Sequence, residues 1–196
     1  EHSDHVDGPS QGPILERTEA NFYGPDASVD AVREQDWLDE YDIEPAQLER
    51  ITEGDSVRIG DLTVHVEPAN DPDAEHPVSY VFEHQSGTFF HGGDARPGAF
   101  EDVGEQYDID VGVLAFGSAG MIPDKQTREP EFTQWYNDEN ALVEAANELQ
   151  VETLVPTHWD MWKGLTADPS ALHDHVRSFE YPKGLDIVEI GDRIDL

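Results

Sequence analysis

The sequence predicts an α/β (α+β) fold in which short strands alternate with helices around a layered core. Three observations lead to this class. Two hairpin patterns occupy 57–66 and 79–91. A continuous apolar run at 111–116 is typical of a strand that is buried on both faces. Apolar residues then recur at helical spacing over 138–149, ahead of another short apolar run at 153–155. We expect 1–196 to form a single domain.

The N-terminal third combines a polar start with one strand and one helix. Residues 1–8 are rich in polar groups and show no strand or helix pattern. Residues 20–23 predict a short buried strand, closed by a Gly-Pro pair. Asp26 or Ser28 is expected to cap a helix. The apolar side of that helix comprises Val29, Val32, Trp37 and Leu38.

The hairpins and the C-terminal segments follow from turn residues and periodicity. Gly60-Asp61 joins the first pair of strands, and 85–87 joins the second pair. The stretch 123–132 is polar and contains proline, so it is interpreted as a loop. A helix is expected over 170–179, and 187–190 is expected to close the chain as a strand.

The charge balance is extreme. The chain has 44 acidic residues against 11 Lys and Arg, for a formal net charge of -33. Such a surface repels nucleic acid and anionic lipid, so neither is expected as a partner. The acids are spread along the whole chain, and only three residues are lysine. This composition resembles that of proteins from cells that accumulate salt, so we expect a halophilic, archaeal origin. An ordinary acidic protein is the alternative.

The chain contains no cysteine, so any metal must be held by imidazole and carboxylate groups. The absence of cysteine fits a cytoplasmic protein, and no apolar run is long enough to span a bilayer. A homo-oligomer is neither indicated nor excluded.

Three clusters of metal-ligating side chains are the main functional signal. His2-Ser3-Asp4-His5 places two imidazoles and a carboxylate within four residues. Asp94 and His158 each follow a predicted strand. Ligands on strand ends are held rigidly and can converge on one or two cations. Zinc suits this donor set, and manganese is the alternative where carboxylates share the shell.

In this arrangement the sequence resembles the metallo-β-lactamase superfamily, whose signature is His-x-His-x-Asp-His followed by later His, Asp and His ligands. Residues 1–5 match that motif apart from its first histidine. Further segments, in order, resemble the ascorbate-6-phosphate lactonase branch of the superfamily. These segments are 20–25, 53–57, 64–66, 78–82, 124–125 and 156–162.

The resemblance implies an αββα sandwich whose early strands, with one metal ligand, would precede residue 1. It implies that His2 joins a first metal site, that Asp4, His5 and His158 form a second, and that Asp94 bridges the two. Where many members have a further histidine for the first site, this chain has Asp71, with His76 as a substitute. His91 and Asp160 are expected to support ligands from outside the shell.

The implied activity is metal-dependent hydrolysis, in which a metal-bound hydroxide attacks a lactone, ester or sugar-phosphate-type substrate and Asp4 orients it and shuttles a proton. Arg96, Lys125 and Arg128 are rare positive charges expected near the mouth of the site, which favours a small anionic substrate. Ordinary ion pairing explains them equally well. A phosphodiesterase of the same fold is the nearest alternative. A non-catalytic acidic remnant or binding module is the alternative from another class.

Overall fold

The computed structural model describes residues 1–124, 126–194 and 196. Its strands are, in chain order, β1 (Phe22–Gly24), β2 (Leu48–Arg50), β3 (Ser56–Ile59), β4 (Leu62–Pro68), β5 (Val78–His84), β6 (Gly87–His91), β7 (Val111–Ala115), β8 (Gly120–Pro123), β9 (Pro130–Thr133), β10 (Thr153–Thr157) and β11 (Gly184–Leu185). Its helices are α1 (Gly8–Arg17), α2 (Asp26–Glu34), α3 (Trp37–Glu40), α4 (Glu101–Gln106), α5 (Glu139–Glu148) and α6 (Leu172–Val176).

Seven strands form the central sheet, in the order β11-β10-β7-β6-β5-β4-β3. The half from β3 to β6 is antiparallel, and the half from β6 to β11 is parallel. Both predicted hairpins are present, and the first turns at Gly60, where a φ of +63° favours glycine. The predicted mixed α/β class is therefore confirmed.

The parallel half of the sheet determines where a site can form. Strands β6, β7 and β10 run in the same direction, so their carboxyl ends meet at one edge. All five residues of β7 are buried, as the apolar run at 111–116 predicts. Loops that leave this edge can bring distant parts of the chain together, as in other open α/β sheets.

The main core lies between one face of the sheet and helices α4, α5 and α6. It contains the fully buried side chains Phe90, Phe100, Leu114, Leu142 and Leu154. Burying one side chain of this kind stabilises the fold by about 1.5–3 kcal/mol. Helix α5 confirms the prediction for 138–149, and Asp138 caps it by accepting hydrogen bonds from the amides of Asn140 and Ala141.

The opposite face of the sheet carries a smaller apolar cluster of Val111, Val113 and Val155, with Phe89 packed against it. Among the described residues, the remaining sheets are the two-stranded pairs β1–β2 and β8–β9. The described chain therefore supplies one large sheet of the sandwich that the resemblance implies, covered by helices on one face.

A third apolar cluster joins α1, α2 and α3, and it includes Val6, Val32 and Trp37. Helix α1 was not predicted, because its two glycines and two prolines are residue types that disfavour helices. Asp7 caps it by accepting a hydrogen bond from the Ser10 amide at 2.9 Å. Gly12 lets α1 approach Tyr41, the residue that follows α3, because a Cβ there would lie 2.3 Å from the Tyr41 ring.

The single helix predicted to carry Val29 and Trp37 is wrong: it is divided into α2 and α3. Asp36 lies between them in the left-handed region, with a φ of +59°, and that conformation ends an α-helix. Its cap was also predicted wrongly, because Pro25 holds the N-cap position and Asp26 lies inside the first turn.

The predicted loop at 123–132 is wrong in part, because its two ends pair as the hairpin β8–β9. Proline is tolerated there because Pro123 and Pro130 lie at the strand ends, facing each other. The apolar residues Met121 and Phe132 are a cross-strand pair on this hairpin. The loop was predicted from the prolines and polar residues of the segment, without regard to this apolar pair.

The two C-terminal elements are shorter or displaced relative to prediction. The helix expected over 170–179 consists of a 3₁₀ turn at Pro169–Ala171 followed by α6, which ends at Val176. The strand expected at 187–190 is absent from the described residues, and β11 pairs earlier, at 184–185. The Asp186 amide still donates to the Leu154 carbonyl, but two residues further the same edge of β10 presents Pro156, which has no amide hydrogen.

No helix among the described residues combines the length and the apolar character that crossing a bilayer requires.

Candidate metal centre

The loop after β6 delivers Asp94 to the shared edge of the sheet. The Gly92 amide donates to the Val113 carbonyl, which ties the start of the loop to β7. A Cβ on Gly92 would lie 2.6 Å from Leu114 Cδ2, so this close approach requires glycine. Gly93 then adopts a φ of +57° and turns the chain so that Asp94 follows.

The N-terminal motif is a tight turn anchored by α1. The amides of His5 and Val6 both donate to the His2 carbonyl, at 2.9 and 2.8 Å. Val6 is buried in the α1–α3 cluster, and Gln11 of α1 donates from its side chain to the His5 carbonyl. Helix α1 therefore fixes the turn whose side chains reach the sheet edge.

Three ligand-type groups converge at that edge: the side chains of Asp4, His5 and Asp94. Their nearest donor atoms all lie within 4.8 Å of one another. His5 Nε2 lies 3.0 Å from Asp94 Oδ2 and 4.0 Å from Asp4 Oδ2. The turn at residues 2–6 and the loop after β6 thus meet, although they are about ninety residues apart in sequence.

His158 completes the group from the end of β10. Its Nε2 lies 3.3 Å from Asp94 Oδ1, the oxygen that does not face His5. His158 holds a φ of +67°, a left-handed conformation that non-glycine residues adopt rarely and mainly where function requires it. Asp94 therefore lies between two imidazoles, one on each carboxylate oxygen.

The donor set fits a divalent cation. Asp94 Oδ1 is buried and has no hydrogen-bond partner, which is costly for a carboxylate oxygen without a compensating charge. The surrounding donors are imidazole nitrogens and carboxylate oxygens, which zinc and manganese both accept. Asp4, His5, Asp94 and His158 are the residues that would hold the ion.

Electrostatics in the cluster also favour a cation. Desolvation acts to raise the pKa of Asp94, but the hydrogen bond with His5 and the nearby imidazoles hold it below its ordinary value. The hydrogen bond with Asp94 raises the pKa of His5. Desolvation lowers the pKa of His158 and outweighs the effect of Asp94. Asp94 is therefore ionised at neutral pH, and His158 favours its neutral form, as a ligand must.

A family model described as "Beta-lactamase superfamily domain" matches residues 1–159, most of the chain, and includes all four ligand-type residues. The chain belongs to the beta-lactamase superfamily. This confirms the superfamily resemblance predicted from the motif.

Curated relatives carry a lactonase name. A probable L-ascorbate-6-phosphate lactonase UlaG of Escherichia fergusonii is 24% identical over 195 residues. The alignment covers 88% of this chain and 50% of the relative. The UlaG of Salmonella gallinarum gives the same identity and coverage over 194 residues. The chain thus spans about half the length of the curated relatives that it matches.

Solved structures of two hydrolases share the fold. A metallo hydrolase from the archaeon Ignicoccus hospitalis has a TM-score of 0.71 at 20% identity, covering 100% of this chain and 76% of that one. An isothiocyanate hydrolase from Delia radicum gut bacteria has a TM-score of 0.64 at 14% identity, covering 97% and 72%. At these identities the likeness establishes the fold.

His2 and Asp71, the residues predicted for a first metal site, do not join the cluster. His2 Nε2 hydrogen-bonds with the Asp73 carbonyl at 3.0 Å, and Asp71 accepts the Asp73 amide in a local turn. Both side chains, together with His76, line a neighbouring cavity of about 280 Å³ that also reaches Asp94. The structure therefore brings Asp4, His5, Asp94 and His158 together and leaves the side chains of His2 and Asp71 outside that cluster.

The two predicted supporting residues differ. His91 Nδ1 accepts a hydrogen bond from the Gly93 amide, so it braces the loop that leads to Asp94. Asp160 is exposed, and the described residues show no hydrogen bond from it to a ligand imidazole. The group that contacts His158 Nδ1 is the Thr157 hydroxyl.

Of the predicted basic trio, Arg96 and Arg128 lie among the described residues. Arg96 donates from Nη2 to the carbonyls of Gln134 and Trp135 and pairs with Asp73 at 3.4 Å, so it clamps loops around the site. Arg128 is exposed in the turn of the β8–β9 hairpin. Lys125 lies outside the described residues.

Three residues that sequence reasoning missed support the cluster. Asn137 is buried and donates to the carbonyls of Ala95 and Ala115. The Tyr136 ring lies 4.9 Å from the His158 ring, and its hydroxyl accepts a 2.6 Å hydrogen bond from Trp162. Thr157 was seen only as part of a strand end. Only its position next to a ligand histidine could have signalled its role.

Proposed function

We propose that this protein is a metal-dependent hydrolase acting on a small lactone, ester or sugar-phosphate-type substrate. One observation supports this most directly: Asp4, His5 and Asp94 lie together, and His158 lies 3.3 Å from Asp94 Oδ1, a buried oxygen that has no hydrogen-bond partner. The fold of metallo hydrolases and the lactonase name of the curated relatives favour the same class. The proposal treats 1–196 as one functional domain.

The ligand shell has a closed side and an open side. The side chains of Asp94 and His158 are 13% and 18% exposed, whereas those of Asp4 and His5 are 26% and 39% exposed. Water and substrate therefore approach past Asp4 and His5. A divalent ion, when bound, supplies an activated water at neutral pH and polarises the oxygen under attack.

The residues of the chain divide the remaining work. Asp94 would hold the ion from the centre of the cluster, where His158 and His5 flank its two oxygens. Asp4 lies on the open side, where its carboxylate orients the attacking water and accepts its proton. Tyr136, buried behind His158, excludes water from the closed side.

The ligand geometry supports one ion more directly than two. Zinc suits the two imidazoles, and the two carboxylates make manganese the alternative. A small anionic substrate remains part of the proposal, with Arg128 in the nearby hairpin and Lys125 as its candidate partners. Arg96 is already engaged by two carbonyls, so it contributes by holding the loops in place.

The test measures metal content and hydrolysis together. The protein is loaded with zinc or manganese, dialysed and analysed for metal per chain, then assayed with a lactone, an ester and a generic phosphodiester. We expect about one ion per chain and turnover of the lactone or ester. Asp94→Ala should lose both metal and turnover, whereas Asp61→Ala, at an exposed hairpin turn, should lose neither.

Each other outcome has a definite meaning. Metal binding with turnover of the phosphodiester alone would replace the lactonase proposal by a phosphodiesterase. A parent protein that binds no metal would overturn the proposal and favour a non-catalytic member of the fold.

A further inference from the structure

Thr157 contacts both the sheet and the ligand imidazole. It is the last residue of β10 and immediately precedes His158. Its Oγ1 lies 3.2 Å from the Leu114 carbonyl oxygen and 3.0 Å from His158 Nδ1. A single hydroxyl therefore links a backbone acceptor in β7 to the ring nitrogen of His158 that faces away from Asp94.

The hydroxyl gives these contacts a direction. A carbonyl oxygen can only accept, and a threonine hydroxyl has one hydrogen to donate. If the hydroxyl donates its hydrogen bond to the Leu114 carbonyl, Oγ1 can only accept a hydrogen bond from His158. In that case Nδ1 of His158 must carry a hydrogen and donate it. A neutral imidazole with hydrogen on Nδ1 has its lone pair on Nε2. In this structure Nε2 is the nitrogen that points to Asp94 and the ligand cluster.

Contacts other than the Thr157 hydroxyl hold the imidazole ring of His158 in place. The hydroxyl therefore affects which ring nitrogen carries the hydrogen rather than where the ring lies. The Tyr136 ring packs against the imidazole at 4.9 Å, and Trp162 holds Tyr136 through its hydroxyl. The left-handed backbone at His158 sets the direction in which the side chain leaves β10. The ring is thus held by Tyr136 and the backbone, whereas the Nδ1 hydrogen bond depends on Thr157.

We propose that Thr157 is a positioning residue: its hydroxyl accepts a hydrogen bond from the Nδ1–H of His158 and donates one to the Leu114 carbonyl, and this pattern leaves the Nε2 lone pair available to a divalent cation. This inference rests on the proposed metal-dependent function. Hydrogen bonds of this kind to ligand imidazoles raise metal affinity, and their removal commonly costs about 10–100-fold.

Two comparisons isolate the hydroxyl: the parent against Thr157→Val, and Thr157→Ser against Thr157→Ala. Thr157→Val keeps the shape of the parent side chain and replaces its hydroxyl by a methyl group. Thr157→Ser and Thr157→Ala both lack the methyl group, and only the serine keeps the hydroxyl. We expect Thr157→Val and Thr157→Ala to weaken zinc binding by about 10–100-fold, and Thr157→Ser to stay within about threefold of the parent. The measurement is zinc affinity by competition with a chromophoric chelator.

A second readout uses the metal-free protein. In ¹⁵N-histidine spectra taken above the titration range of imidazole, His158 is assigned by comparison with His158→Gln. We expect the Nδ1–H form in the parent and in Thr157→Ser. A shift toward the Nε2–H form is expected in Thr157→Val, because Asp94 Oδ1 then becomes the best acceptor.

The outcomes separate this inference from the function that it rests on. Failure of the parent to bind either zinc or manganese overturns the proposed function. If the parent binds zinc and Thr157→Val binds it equally well with the same ring protonation, Thr157 is not a positioning residue and the metal-dependent function stands. A loss in Thr157→Ser as large as in Thr157→Ala also overturns the inference, and that pair decides it should Thr157→Val not fold.

Discussion

The side-chain amide of Asn137 donates to the carbonyl of Ala95, the residue that follows Asp94, at 2.9 Å. The same nitrogen also donates to the Ala115 carbonyl at the end of β7. One buried side chain therefore fastens the Asp94 loop to the centre of the sheet. The Gly117 amide in turn donates to the backbone carbonyl of Asn137, and this hydrogen bond holds the Asn137 backbone in place.

Replacing Asn137 by Leu should destabilise the metal-free protein by about 1–3 kcal/mol, because two buried carbonyls lose a donor. Urea unfolding followed by circular dichroism measures this. Zinc affinity should fall as well, since the Asp94 loop is no longer held. Asn140→Ala, at an exposed position in α5, is the matched control and should change stability by less than about 0.5 kcal/mol. Equal stability of the two variants would show that Asn137 does not hold the loop.

The residues that support the site could not be predicted from the sequence. Asp4, His5, Asp94 and His158 were predicted as ligands because each is a metal-binding residue type in a recognisable motif or at a strand end, and the structure brings these four side chains together. Asn137 and Tyr136 lie in a connecting segment with no periodic pattern, and their partners are 22 to 42 residues away in sequence. Only the folded chain places them beside the ligands.

The fold was predictable to the extent that local patterns agree with tertiary packing. The hairpins, the buried strand β7 and helix α5 each have a clear period and the expected turn or cap residues, and all four are present. The segment 187–190 has an apolar pattern typical of a strand. It fails to pair because Pro156 interrupts the neighbouring edge of β10, a constraint that the segment itself does not reveal.

The two carboxylates of the cluster should have separable roles. Asp4→Asn keeps the shape of the side chain and removes its charge, so we expect turnover to fall by about 100-fold or more while much of the metal is retained. Asp94→Asn should lose most of the metal, because Asp94 lies between His5 and His158. Metal per chain and turnover are measured for both variants under identical salt. If Asp4→Asn loses as much metal as Asp94→Asn, Asp4 acts as a ligand alone.

Metal affinity should rise with pH in the neutral range. The hydrogen bond with Asp94 raises the pKa of His5 above 6.5, so protons compete with the metal for Nε2 until the pH exceeds that pKa. Chelator competition at several pH values between about 6 and 8 measures this. The rise should be smaller in His5→Gln, which binds metal more weakly and has no proton to lose at that position.

The same shift predicts the opposite trend for the metal-free protein. A group whose pKa is raised on folding stabilises the protein below its unfolded pKa, and this contribution disappears as the pH rises through the folded pKa. Protonated His5 should therefore stabilise the metal-free parent over His5→Gln near pH 6, and the difference should shrink toward pH 8. A stability difference that does not depend on pH would show that His5 and Asp94 form no charged pair.

The net charge of -33 predicts that folding requires salt. Few cations are available to pair the acids, so repulsion between carboxylates opposes the compact state until ions screen it. Raising the salt concentration from about 0.1 M to about 1 M shortens the screening length from about 10 Å to about 3 Å. We therefore expect the melting temperature of the metal-free protein to increase across a potassium chloride series.

Because this series is run without metal, the screening effect is separated from metal binding at the cluster. A melting temperature that is flat or falls with chloride would argue against adaptation to high salt, and the acids would then be ordinary solvated surface groups.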